Sequence, residues 1–388
     1  MKRLLQVVSY ILVAAVASCV TLAFCLKPET KPIPVGEWPK LDELKALIDE
    51  KFIGEAEKTA MEDGAAAGLV DGLGDRWSYY IPASEYLSYT EQMANAYVGI
   101  GITITLREDG YLDVTQVSAG GPAAQAGVQY GDVIKLVEGA SVAEIGLDEA
   151  KNRIRGEEGT QVEITLEREG QELTLQVTRA TIQTEVATAK MMEHNVGLVT
   201  IVNFDARCKD ETVSAIESLL SQGAKYLIFD VRFNPGGYKH ELVNLLDYLL
   251  PEGVLFRSLE YTGVEYIDES DKSCLEIPMA VLVNGDSYSA AEFFAAALDE
   301  YDAAIVVGQP TSGKGYFQNT FQLSDGSAVG LSVGKYFTPN GVSLEGVGIT
   351  PEVLVEIDQE TMAAIYGGAL PAEEDPQIQA AVDALISQ

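Results

Sequence analysis

The chain has 388 residues, more than a single hydrophobic core usually spans, so two or three folded units are expected, and its 47% hydrophobic residues suffice to fill them. With 26 basic and 59 acidic residues, the net charge is −33. This charge argues against nucleic-acid binding and against docking on anionic lipid, because both need clustered lysine and arginine, and it is typical of a soluble acidic surface.

The N-terminus is predicted to anchor the chain in a membrane. Lys2 and Arg3 precede an uncharged run from Leu4 to Leu26, which is about the length of a bilayer-spanning helix. Positive residues favour the cytoplasmic side, so residues 1–27 are expected to be a single-pass anchor in the cell membrane, with the rest of the chain outside the cytoplasm. The sequence Val16-Ala17-Ser18-Cys19 resembles a bacterial lipobox, which leaves a lipidated Cys19 as the alternative.

A linker and a helical segment follow the anchor. Residues 28–40 are rich in proline and mixed in charge, which is typical of a linker. Over residues 41–83 apolar residues such as Leu44, Ile48 and Leu69 recur at helical spacing. We expect helices here whose role is packing.

Residues 84–180 are predicted to form short strands with alternating apolar residues. Three motifs in this region resemble a PDZ domain of the kind found in bacterial proteases. They are Tyr97-Val98-Gly99-Ile100-Gly101, Gly121-Pro122-Ala123, and the run from Gly127 to Ile134. The resemblance implies that the first motif offers backbone N–H groups to the terminal carboxylate of a peptide, and that the next strand pairs with the peptide. A small β-rich spacer is the alternative interpretation.

Strands alternate with helices over residues 181–358, which predicts an α/β core with helices packed on a sheet. The predicted strands are 197–202, 226–230, 254–261 and 278–283, and the predicted helices are 210–222 and 240–250. Residues 359–388 are expected to be an acidic linker and a C-terminal helix.

The four cysteines include no CxxC pair, so neither a zinc site nor a thioredoxin-like redox site is predicted. Cys19 and Cys25 lie in the apolar N-terminus. Cys208 and Cys274 fit a disulfide outside the cytosol and fit two buried free thiols equally well.

The first candidate catalytic segment runs from Asp230 to Gly237, where a predicted strand enters an Asn-Pro-Gly-Gly loop. Paired glycines after a proline leave backbone N–H groups free to point into a cavity. Such groups suit an oxyanion hole, which needs donors aimed at developing negative charge. The same residues also fit an ordinary turn.

The second candidate segment carries Ser289. A buried strand is predicted to deliver this serine to the start of a helix over residues 290–298, where free N–H groups and the helix dipole favour an oxyanion. The N–H of Ala290 is therefore a candidate donor. Ser287 and Ser289 also fit as simple N-caps of the helix.

A serine nucleophile needs a base. The two histidines, His194 and His240, do not exclude a Ser-His-Asp triad by number, but neither has an evident partner. Lys314 lies between two glycines, and burial would lower its pKa enough to supply a neutral amine. If residues 316–318 are extended, Gln318 faces the same side as Lys314 and can orient that amine. A glycine-flanked surface lysine is the alternative interpretation.

The combined motifs resemble the carboxyl-terminal processing proteases, also called tail-specific proteases, a family of Ser-Lys peptidases. The resemblance covers nearly everything after residue 41, from Gly-Leu-Gly-Asp at 72–75 to Asp-Pro-Gln at 375–377. Matched position by position, it implies Ser289 as nucleophile, Lys314 as base, Gln318 as supporting residue, and the N–H groups of Ala290, Gly236 and Gly237 as oxyanion donors. Asp286, Tyr288, Ser312 and Phe233 depart from the family's pattern, which puts substrate preference in doubt more than catalysis.

The resemblance implies a serine endopeptidase that cleaves extracytoplasmic proteins, with a PDZ domain that captures accessible C-termini and can gate the active site. No metal and no organic cofactor are expected. A homo-oligomer or an activating partner stays open. The rival interpretations are a catalytically silent PDZ scaffold and a non-proteolytic carrier of an apolar ligand on the same fold.

Overall fold

The computed structural model describes residues 38–387. The chain divides into two compact units between Glu62 and Asp63. Among the described residues, no helix is long and apolar enough to cross a bilayer. The predicted anchor at 1–27, the lipobox-like sequence and most of the predicted linker lie outside these residues.

The predicted helical segment contains helices and one short strand. Its elements are α1 (Pro39–Lys51), α2 (Lys58–Asp71), β1 (Tyr79–Ile81) and the start of α3 (Ala83–Met93). No residue of α1 is buried, although the spacing of its leucines predicts a packing helix. Strand β1 was not predicted, because a run of three residues is too short to show the alternation of a strand.

Residues 96–183 form a β-rich region with its own core. Its elements are β2 (Ala96–Gly99), β3 (Ile102–Leu106), β4 (Leu112–Val117), α4 (Pro122–Ala126), β5 (Val133–Val137), β6 (Ala140–Ser141), α5 (Val142–Ile154), β7 (Gln161–Arg168), β8 (Gln171–Thr178) and β9 (Ala180–Gln183). Strands β3-β4-β5-β7-β8 are antiparallel neighbours in that order, β6 pairs with β5, and β2 pairs with β9. Alternate residues such as Leu112 and Val114 point inward and are buried, as the alternation predicts.

The rest of the chain forms two sheets and the helices packed on them. Its elements are β10 (Ala187–Met191), β11 (Val196–Ile201), α6 (Cys208–Ser221), β12 (Tyr226–Asp230), α7 (Lys239–Leu249), β13 (Gly253–Glu260), β14 (Glu265–Ser270), β15 (Met279–Val283), α8 (Ala290–Glu300), β16 (Ala304–Gly308), β17 (Tyr316–Gln322), β18 (Ala328–Phe337), β19 (Val353–Leu354), α9 (Gln359–Tyr366) and α10 (Pro376–Ile386). Most predicted boundaries agree with these to within two residues.

The larger sheet has six strands in the order β10-β11-β12-β15-β16-β19, and all but β10 run parallel. Helices α6, α7 and α8 cover one face, where they bury Phe229 and Val281. Helix α10 covers the other face, where it buries Ile228 and Leu282. Strands covered on both faces must be apolar throughout, and every residue of β15 is buried. The predicted α/β core is thereby confirmed.

The smaller sheet places β17 beside β18, and β18 also pairs with β13 and β1, while β14 pairs with β13. In the larger sheet, the parallel neighbours β12, β15 and β16 all end at one edge. Their following loops are residues 231–238, 284–289 and 309–315. Ligand sites in such sheets lie at the carboxyl ends of the strands, and all candidate catalytic residues except Gln318 and the helix residue Ala290 lie in these three loops.

Candidate active site

Ser289 lies at a sharp turn between β15 and α8. Its φ and ψ are 58° and −125°, a conformation that residues with a side chain rarely adopt and that persists only where the surroundings impose it. Two neighbours brace the turn. Ser287 Oγ donates to Val231 O at 2.7 Å and accepts the Asn284 N–H at 3.0 Å. The first bond fastens residues 284–289, the serine loop, to the residue that follows the neighbouring strand β12, and the second lies within the loop.

The glycine loop after β12 lies directly against the serine. A Cβ atom at Gly236 would come within 2.8 Å of both the Ala290 nitrogen and Ser289 Cβ, and Gly236 has a φ of +86°. At Gly237 a Cβ atom would come within 2.3 Å of Phe204 O. Both positions therefore require glycine, because the backbones approach too closely for any side chain.

Of the three predicted oxyanion donors, two are free in this structure. The Gly236 N–H donates to Asn234 Oδ1 at 2.8 Å. Within residues 38–387, the N–H groups of Gly237 and Ala290 have no hydrogen-bond acceptor. Free N–H groups on both sides of a serine provide the donors that an oxyanion hole needs.

Lys314 extends from the loop after β16 toward two aromatic rings. Its Nζ lies 5.1 Å from the centroid of the Trp77 ring and 5.6 Å from that of Tyr288. In the part of the chain that the structure describes, this amine makes no hydrogen bond and no ion pair. Burial lowers the pKa of Lys314, and the carboxylates of Glu292, Asp75 and Glu345 oppose that shift.

The buried carboxylate of Glu292 joins the serine loop to residues 309–315, the lysine loop. Its Oε2 accepts the backbone N–H of Ser289 at 2.9 Å and that of Lys314 at 2.8 Å. Its Oε1 accepts the Thr311 hydroxyl at 2.6 Å and the Gly313 N–H at 2.7 Å. The side chain is fully buried, so these four bonds replace its lost hydration.

A second carboxylate, that of Glu345, holds the other side of the lysine loop. It accepts the Trp77 indole N–H at 3.0 Å and the Gly315 N–H at 2.8 Å. Asp75 in turn accepts the Trp77 backbone N–H at 3.2 Å and the Ser78 hydroxyl at 2.6 Å. The segment around Trp77, for which the sequence predicts only packing, therefore lies at the candidate site.

Gln318 is not hydrogen-bonded to Lys314. Its Nε2 donates to Ser332 Oγ at 3.0 Å and to Tyr316 O at 3.1 Å. The register of β17 against β18 shifts between Phe317 and Gln318. The extra residue of this bulge is in β18, so the alternation along β17 is unbroken; however, β17 begins at Tyr316, and Lys314 precedes the strand to which the predicted two-residue alternation applies.

Sequence reasoning missed Glu292, Trp77 and Glu345. Glu292 has a local signal, since Ser289-x-x-Glu292 has the spacing of a capping box. Trp77 and Glu345 have none, because they are separated by 268 residues and meet only in the folded chain.

Neither histidine forms part of the site. His240 stacks on Tyr238 and lies 3.5 Å from Glu241, and His194 lies in a single turn before β11. Cys208 and Cys274 are free thiols in this structure. Among residues 38–387, no group of three or more His, Cys, Asp or Glu side chains is placed to hold a metal ion.

The motif from Tyr97 to Gly101, which is predicted to bind the terminal carboxylate of a peptide, borders a cleft of about 280 Å³ in the β-rich region. Tyr97, Gly99, Ile100 and Gly101 line it, together with Ile102, Thr103, Ile104, Lys151, Ile154 and Arg155. Val98 is not among them, and its N–H donates to the Glu91 carboxylate at 3.2 Å. The N–H groups of Ile100 and Gly101 find no acceptor within the described residues.

Comparison with known proteins agrees with this architecture. Residues 195–355 match the profile of peptidase family S41, and residues 114–168 match a PDZ domain profile. The fold and the matches define a serine peptidase that carries a PDZ domain.

The related proteins specify the family. The chain is 32% identical to the carboxy-terminal processing protease CtpA of Bacillus subtilis strain 168, over 92% of this chain and 78% of that protein. It is 30% identical to a probable CtpA-like serine protease of Staphylococcus aureus strain N315, over 82% of this chain and 64% of that protein. It is 28% identical to the solved photosystem II D1 C-terminal processing protease, over 88% and 93% of the two chains, with a TM-score of 0.48. The chain belongs to the carboxy-terminal processing proteases of family S41.

Replacement of Glu292 by glutamine is expected to damage both stability and activity. An amide nitrogen would face two of the four N–H or O–H donors, which would then lack acceptors in a buried site. We expect a loss of about 3 kcal/mol in the free energy of unfolding and a fall in kcat/KM of about 100-fold, because the serine and lysine loops would shift.

Urea unfolding and cleavage of an unfolded reporter protein measure these two effects. Glu300→Gln is the matched control, since Glu300 lies in the same helix and accepts one exposed bond from Asn340 N–H. A Glu292→Gln variant that matches this control in both measurements would contradict the role given to Glu292.

Proposed function

We propose that Ser289 is the nucleophile and Lys314 the general base of this protease. The observation that carries the proposal is the double attachment of Glu292, which accepts hydrogen bonds from the backbones of both residues. This attachment fixes the relative positions of two loops that are distant in sequence. A base that takes a proton from a hydroxyl group depends on such fixed geometry.

The electrostatics of Lys314 support its role as a base. Burial lowers its pKa, so more of the amine is neutral near pH 7 than for a solvated lysine. Only the neutral amine has the lone pair that accepts a proton. Activity is therefore expected to rise with pH through the pKa of Lys314.

The proposed reaction is acyl transfer. Lys314 Nζ takes the proton of Ser289 Oγ as this oxygen attacks the carbonyl carbon of a peptide bond, and the carbonyl electron pair moves onto its oxygen. The N–H groups of Gly237 and Ala290 stabilise that oxyanion. The lysine then protonates the leaving amine, and a water molecule that it deprotonates releases the acyl group and restores Ser289.

We further propose that the β-rich region binds the C-termini of protein or peptide substrates. The cleft has apolar walls, which include Ile102, Ile104 and Ile154. The unpaired N–H groups of Ile100 and Gly101 lie at its border and suit a carboxylate. An extended peptide can add to the exposed edge of β3, because among residues 38–387 this strand pairs only with β4.

The proposed location is the outer side of the cell membrane, with residues 1–27 as the anchor.

Protease added to intact cells that produce the full chain should then degrade residues 38–387. Deletion of residues 1–27 should leave the remaining chain protected inside the cell, and protection of the full chain would contradict the proposed location.

Removal of the side chain of Ser289 or of Lys314 should abolish catalysis. Full-length Ser289→Ala should neither react with a fluorophosphonate probe nor cleave an unfolded reporter protein, and Lys314→Ala should cleave at least about 1,000-fold more slowly. Lys335→Ala is the matched control, since Lys335 also lies near an aromatic ring, 5.6 Å from that of Tyr316. Labelling of a residue other than Ser289, or equal rates for Lys314→Ala and Lys335→Ala, would refute the assignment.

Peptide binding should depend on the free carboxylate and on the apolar cleft. A peptide with an apolar C-terminal residue should bind full-length Ser289→Ala, and amidation of its C-terminus should weaken binding at least about 10-fold in fluorescence anisotropy. Adding Ile104→Glu should weaken binding similarly. Leu106→Glu is the control, because Leu106 lies in the same strand but outside the cleft. Equal binding of the free and amidated peptides would exclude recognition of the C-terminus.

A further inference from the structure

Two aromatic rings lie beside the amine of Lys314. The rings of Trp77 and Tyr288 have centroids 6.4 Å apart and planes 26° from parallel. Lys314 Nζ lies 5.1 Å from the first centroid and 5.6 Å from the second. An ammonium group within about 6 Å of an aromatic face is attracted to the negative face of the ring. Both distances fall within that range.

Among the described residues, the Lys314 amine interacts with these two rings rather than with a hydrogen-bond acceptor. Within residues 38–387, Lys314 Nζ has no hydrogen bond or ion pair, and so none with Ser289. The three carboxylates whose charges act on it already accept hydrogen bonds from other groups. They are Glu292, bonded to Ser289, Thr311, Gly313 and Lys314 N–H; Asp75, bonded to Trp77 N–H and Ser78; and Glu345, bonded to the Trp77 indole and Gly315.

Both rings are held by the loops that build the site. The Trp77 indole donates to Glu345, and the Arg76 guanidinium lies 4.0 Å from the Trp77 ring centroid. Tyr288 immediately precedes Ser289, and its backbone N–H donates to Asn234 O at 3.1 Å. The Trp77 ring is therefore held by Glu345, and the backbone that carries the Tyr288 ring is fixed next to Ser289.

We propose that Trp77 and Tyr288 are positioning residues that hold the protonated amine of Lys314 and release it toward Ser289 when the amine loses its proton. This inference rests on the proposed role of Lys314 as the base. A neutral amine has no charge for the ring faces to attract, so the position of the side chain depends on its protonation state. The rings favour the charged form of the lysine, whereas burial favours the neutral one.

Loss of the Tyr288 ring should shift the pH dependence of kcat/KM. Activity falls on the acid side as Lys314 becomes protonated, and this fall (the acid limb) should move to lower pH. Without Tyr288, burial lowers the pKa of Lys314 with less opposition. The other charged groups that face the amine or the rings are Glu292, Asp75, Glu345, Arg76 and Asp286. Tyr288→Leu leaves all of them in place. Burial, together with Asp286, raises the pKa of the Tyr288 phenol, which favours its neutral form.

The chain offers a direct probe of this contact, because its two tryptophans are Trp38 and Trp77. In the full chain with Trp38→Phe, the fluorescence emission of Trp77 should change with pH in one step. The midpoint of this step should equal the apparent pKa at which kcat/KM falls on the acid side. Lys314→Met should abolish that step. Tyr288→Leu should lower both the midpoint and the acid limb by about 0.5 to 1 pH unit. Tyr288→Phe keeps the ring and should leave both unchanged.

Several results would overturn the inference. One is a pH-dependent step in Trp77 emission that is the same in Lys314→Met as in the chain with Lys314. Another is a shift of the midpoint that is equal in Tyr288→Leu and Tyr288→Phe. A Tyr288→Leu variant whose kcat/KM falls equally at every pH would show that the ring only fills space. In each case, labelling of Ser289 together with the loss of cleavage in Lys314→Ala would leave the Ser-Lys assignment standing. Conversely, a Lys314-dependent step in Trp77 emission would support the aromatic contact even if Ser289→Ala still cleaved.

Discussion

The site depends on one buried charge, the carboxylate of Glu292. It is fully buried and accepts four hydrogen bonds, from the Ser289 N–H and from three groups of the lysine loop. An isolated carboxylate would be too costly to bury, so the loops must present their donors together for the fold to tolerate it. The same requirement brings the candidate nucleophile and base to one place. The geometry of the candidate site is in this sense a condition of folding.

The sheet supplies the second constraint. Three parallel neighbours end at one edge, and their loops provide the glycines, the serine and the lysine. The strained backbone of Ser289 and the close approach of Gly236 are held in place by Asn234, Asn284 and Ser287. Rigid strands that carry such loops allow N–H donors to be aimed in advance, which is the main source of oxyanion stabilisation.

The sequence predicted the α/β core and singled out Ser289, Lys314 and the paired glycines, because each belongs to a continuous motif. Glu292 was within reach as the last residue of a capping-box pattern. Trp77 and Glu345 were not, since their contact joins residues far apart in the chain and no local pattern records it. Gln318 donates to Ser332 and Tyr316 and not to Lys314, because Lys314 lies before the start of β17, where the alternation of a strand does not apply. The apolar spacing of α1 predicted burial that its side chains do not show.

The most direct test of the Ser-Lys account is a crystal structure of the protein with a peptide boronate bound. We expect a covalent bond from boron to Ser289 Oγ, with a boronate oxygen roughly 2.7–3.1 Å from the Gly237 and Ala290 nitrogens. We also expect Lys314 Nζ to lie within hydrogen-bond distance of Ser289 Oγ. A boronate bound to another residue, or a Lys314 amine that points away from the adduct, would contradict the assignment of Ser289 as nucleophile and Lys314 as base.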